Sequence, residues 1–122
     1  MNMKEMIDMA AKRPHKELSA NKRNKIRQGI AQSFVDVQCA YRAVMEGLAD
    51  WKHFTNCGKP ASEFVKKAIA TGDQELTSLA CYLNDALMSI TYFQKASEVL
   101  LPIWVETMPE DMRECLAANT TK

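Results

Sequence analysis

Glycine and proline are scarce, four of each in 122 residues. A chain of short strands draws on both for its turns, so an all-β fold is excluded. Histidine is scarcer still, with two in the whole chain. That leaves little for acid–base chemistry near neutral pH, and neither His15 nor His53 sits in a catalytic sequence context. The four cysteines are scattered and form no Cys-x-x-Cys. They fit a reducing compartment better than a disulfide framework. No apolar run approaches the ~18 residues of a membrane span, and residues 1–13 lack the apolar core of a secretory leader. The expectation is a cytoplasmic chain without a membrane partner. Gly-rich phosphate loops, paired-His metalloprotease motifs, Ca²⁺ loops and the Gly-x-Ser-x-Gly elbow are all missing. The chain therefore reads as a non-enzyme without a cofactor.

What is present is helical patterning. Hydrophobic residues make up 47% and charged ones 25%, a balance that suits a folded globular chain. Ile30, Phe34, Val37, Tyr41, Val44, Leu48 and Trp51 alternate spacings of four and three, the seam of a coiled-coil-like helix. Ser33, Ala40 and Gly47 put small side chains along one edge. Ser19 is the expected N-cap, and Gly58 with Pro60 the expected end. The pattern predicts one unbroken spine over 20–56. Met3, Met6, Ile7 and Ala10 predict a short amphipathic helix over 2–12, stopped before Pro14. A helix opening at Pro60 covers 61–70. Asp73 caps the next one, 74–101, which Pro102 ends. Thr107 and Glu110 have capping-box spacing for a last helix, 108–118. The expected fold is an all-α helical bundle in a single domain, 1–122. It consists of an N-terminal arm and connector (1–18) and a bundle (19–122) built on two long antiparallel helices with three shorter ones.

The helix over 74–101 is apolar on more than one side. Leu76, Leu79, Leu83, Leu87, Ile90 and Leu101 form its main stripe. Cys81, Met88, Tyr92 and Val99 lie roughly 150° away at 100° per residue. A helix apolar on two sides is covered on two sides. These four residues are thus the expected self-association face, with a homodimer favoured.

Charge is unevenly placed. The net charge is +1, yet residues 1–30 carry eight Lys and Arg against three acids. Lys22, Arg23, Lys25 and Arg27 crowd the first turns of the spine, where the helix dipole favours acids. Arg23 even occupies a seam position. Local rules broken in this way mark function, or compensation elsewhere in the fold. With Lys12, Arg13 and Lys16, the cluster is the candidate surface for phosphates or for an acidic protein. Met3, Met6 and Ile7 form a candidate docking arm, since methionine packs adaptably. His53 and Cys57, four apart, share a helix face and are the one pair with chelating spacing. Without further ligands in sequence, no metal is expected there. The leading expectation is a non-catalytic interaction protein, a small adaptor, regulator or inhibitor that self-associates and binds a macromolecule through its basic segment. The alternative is a nucleic-acid-binding accessory protein that contacts phosphates without reading sequence.

Overall fold

The computed structural model describes residues 2–12, 17–112 and 114. They form an all-α helical bundle, with no strand among the described residues. Four helices follow one another: α1 (Met3–Lys12), α2 (Ala20–Met45), α3 (Trp51–Ala70) and α4 (Gln74–Thr107).

Local chemistry sets most of the boundaries. Asn2 opens α1 with a reciprocal pair: its Oδ1 accepts the Glu5 N–H at 2.8 Å, and its Nδ2 donates to Glu5 Oε1 at 3.2 Å. Ser19 caps α2, accepting the Lys22 N–H at 3.3 Å. Asp73 caps α4, accepting the Leu76 N–H at 3.1 Å. Gly72, at φ 71°, supplies the left-handed residue that ends α3 just before it.

The unbroken spine over 20–56 is not formed. α2 stops at Met45, in a Schellman motif. Gly47 takes φ 76° and donates to the Val44 carbonyl, while Leu48 donates to Ala43. Asp50 then caps α3, accepting the His53 N–H at 2.9 Å. Gly47 is therefore the reversal itself, not a small residue in the seam. The seam ends at Val44, with Leu48 left 77% exposed.

The expected stop at Gly58-Lys59-Pro60 also fails, because α3 continues through Pro60 to Ala70. Pro60 forfeits a bond to the Asn56 carbonyl, but burial on both sides of it outweighs the loss. Phe54, Ala61, Val65, Ala68 and Ile69 are all buried on one stripe. The expected short helix over 61–70 is thus the second half of α3. Pro102 likewise does not end α4, which runs on to Thr107. The Thr107 hydroxyl donates back to Ile103 O at 2.9 Å, so it closes α4. Residues 110–112 are helical, and the remainder of the expected 108–118 helix, apart from Glu114, lies outside the described residues.

The chain divides into two compact units, and the division falls inside α4, between Ile90 and Thr91. In the first unit α1 packs on α3, and α3 packs along α2. Ile30, Val37, Ala40, Val65, Ile69 and Leu83 belong to one buried cluster. Contacts at two levels of this unit give the helix directions. Arg23 and Arg27 of α2 reach Asp73 and Glu75 at the start of α4. Farther along, Phe34 and Leu83 line one groove. α2 and the first half of α4 therefore run the same way, and α3 returns between them. Antiparallel packing holds for α2 against α3, not for the two long helices expected to pair. The cause is the extra reversal at Gly47. In the second unit, Met108 is buried, while Val99, Leu100, Leu101, Ile103, Trp104 and Val105 are exposed by 40–62%.

Candidate interaction surfaces

The basic cluster at the start of α2 splits into two groups. Arg23 and Arg27 are engaged within the chain. The Arg23 guanidinium pairs with the Asp73 carboxylate and lies 4.0 Å from Glu75. Arg27 forms an ion pair with Glu75, its Nε 3.0 Å from Oε1. Arg23 interrupts the apolar seam because it ties the first turn of α2 to the α3–α4 turn. Its Nε is buried without a hydrogen-bond partner, a cost borne for that position. The Asp73 carboxyl is held below its usual value of 3.8. The Leu76 N–H is the main cause, opposed by partial burial, and the Arg23 charge acts in the same direction as the N–H. Lys12, Lys22 and Lys25 are exposed. Arg13 and Lys16 lie outside the described residues.

The docking arm is folded down. Met3, Met6 and Ile7 pack against the buried cluster, and Ala10 beside them is 6% exposed. All three remain half-exposed at the edge of the bundle's own core.

Of the expected self-association face, Cys81 and Met88 belong to the first unit, and Tyr92 and Val99 to the second. Met88, Tyr92 and Val99 are exposed by 39%, 60% and 62%. Cys81 is half-buried. Burial pushes its thiol above the usual 9.0, and the Asp85 charge adds to this. Leu101, expected in the buried stripe, is exposed, whereas Leu76, Leu83 and Leu87 are buried as expected.

Two concave features were not legible from spacing. The first is a cleft of about 480 Å³ between α2 and α3, lined by Asp36, Cys39, His53 and Cys57 among others. The His53 ring and the Cys57 Sγ approach to 3.6 Å there. Asp36 and Cys39 come from the facing helix, which the reversal at Gly47 folds against α3. Even so, no three His, Cys, Asp or Glu among the described residues stand together as a metal site. The second is a groove of about 600 Å³ between α2 and α4. Its apolar lining includes Ile30, Ala31, Phe34, Leu79, Tyr82 and Leu83, with Phe34 and Tyr82 45% and 74% exposed. No helix among the described residues is long and apolar enough to cross a membrane. The chain matches no protein-family model, no curated protein and no solved structure.

Proposed function

We propose that this chain is a non-catalytic interaction protein, a small adaptor, regulator or inhibitor, that works in the cytoplasm as a homodimer or larger self-assembly. One observation carries the reading: six apolar residues between Val99 and Val105 are 40–62% exposed on consecutive turns of α4. Their exposed surface is on the order of 600 Å², at the upper end of the ~300–600 Å² of the largest patch on a typical monomer, and such patches are often functional. Apolar surface of that extent is normally covered by protein. Within the same unit, Tyr92 and Phe93 are exposed as well, by 60% and 46%. The second macromolecule meets the basic N-terminal segment, where Lys12, Lys22 and Lys25 are exposed.

The phosphate-binding alternative is weakened by one feature. Two of its strongest cations, Arg23 and Arg27, are already paired with Asp73 and Glu75. A protein partner with an acidic surface is the better match for the remaining lysines. The test is a pull-down of the full chain from its native lysate, with and without nuclease, alongside sedimentation of the purified protein. A stoichiometric protein partner that survives nuclease, with a self-associated sedimenting species, supports the reading. Loss of every partner on nuclease treatment, with binding that falls steeply as salt rises, moves the assignment to phosphate contacts.

A further inference from the structure

Self-association of the chain, the reading on which this placement rests, can be given a location in the fold. The groove between α2 and α4 occupies the place a fourth helix takes in a four-helix bundle. α1 does not fill it, since α1 packs on α3. The groove residues from Asn24 to Phe34 run about 15 Å along α2. Phe34 and Tyr82 are too exposed to be satisfied by their own unit.

The same chain carries a segment suited to that space. At 100° per residue, the apolar residues from Val99 to Val105 cover most of the helix circumference. A helix apolar all round is found inside protein or inside a membrane, and this one is too short an apolar run to cross a membrane. The segment spans about 9 Å along its axis, so it fits lengthwise along the groove. Its exposed area of roughly 600 Å² is about three-quarters of the ~800 Å² that each partner contributes to a standard stable interface. We propose that the Val99–Val105 segment of one copy docks in the α2–α4 groove of another. A second copy is the favoured occupant because every copy carries both the groove and the segment that fits it. The contact is heterologous: it closes into a ring or dimer if the rotation allows, and otherwise builds a chain.

The experiment is sedimentation velocity on the full-length protein, with Phe34→Glu and Leu101→Glu as variants. Tyr82→Glu serves as a second groove variant if Phe34→Glu disturbs folding by circular dichroism. Each variant alone is expected to associate at least ten-fold more weakly than wild type. A one-to-one mixture of Phe34→Glu and Leu101→Glu is expected to recover association, because the intact segment of the first meets the intact groove of the second. Failure of the mixture to recover, or wild-type association by either variant, overturns the placement while leaving self-association standing. A wild-type chain that is monomeric at high micromolar concentration removes both, whether or not it binds lipid vesicles or a foreign protein.

Discussion

Arg23 is the residue on which local and global demands meet. A cation in the first turn of a helix opposes the dipole by up to ~1 kcal/mol, and a seam position favours an apolar side chain. Both costs are offset by Asp73, whose carboxylate also caps α4. Asp73→Asn keeps a capping oxygen but removes the charge. It is expected to destabilise by about 1 kcal/mol at pH 7, because solvent screens the ion pair where the Arg23 side chain is 39% exposed. Its pH dependence follows from the direction of the shift. The folded carboxyl lies below 3.8, so its contribution is complete above the unfolded value of about 4 and is lost as pH falls through the folded one. Urea titrations at successive pH values should therefore show wild type and Asp73→Asn converging in acid. Gly29 marks a second close approach, where a Cβ would run into the Phe64 ring. Gly29→Ala should cost roughly 1–2 kcal/mol despite its better helix propensity. Adding Phe64→Leu should return part of that loss in a double-mutant cycle.

Among the helices, chain reversals decide the fold. Gly47 and Asp50 turn one expected rod into two antiparallel helices. Gly47→Ala forces a side chain into φ 76°, and Asp50→Ala removes the α3 cap. Each should lower unfolding free energy by about 1 kcal/mol in urea denaturation. At Pro60 the expectation is the opposite. Replacing it with Ala restores an N–H to the Asn56 carbonyl inside α3, so Pro60→Ala should stabilise by about 1–3 kcal/mol. A destabilised variant would mean that α3 depends on the proline ring. Both punctuation signals are written in the chain. A glycine followed three residues later by an aspartate is a helix stop and a helix start, as Asn56 to Pro60 is a helix stop. Local rules cannot rank one against the other, because the ranking depends on which break lets Phe54, Ala61 and Val65 reach the core.

For the assembled protein, the groove and the exposed end of α4 are the two halves of one proposed contact. Charge reversal separates that contact from the basic segment. Lys22→Glu with Lys25→Glu should weaken partner capture several-fold and leave sedimentation of the chain unchanged, since both lysines lie on the exposed start of α2. Leu101→Glu should do the reverse. A lysine pair whose reversal also dissolves the assembly would place the basic segment within the self-association contact.

The all-α class, the caps at Ser19 and Asp73, the buried stripe through Leu76, Leu83 and Leu87, and the surplus of apolar surface on α4 are all legible in the amino-acid order. These depend on periodicity and on hydrogen bonds a few residues long, and such interactions are local. Tertiary packing alone settles that the spine reverses at Gly47, that Pro60 stays inside a helix, that Arg23 is a tie within the chain, and that Met3, Met6 and Ile7 lie on the core. Each of these rests on residues distant in sequence competing for the same neighbours. Burial and ion pairing across about 50 positions, as between Arg23 and Asp73, outweigh local preferences of about 1 kcal/mol.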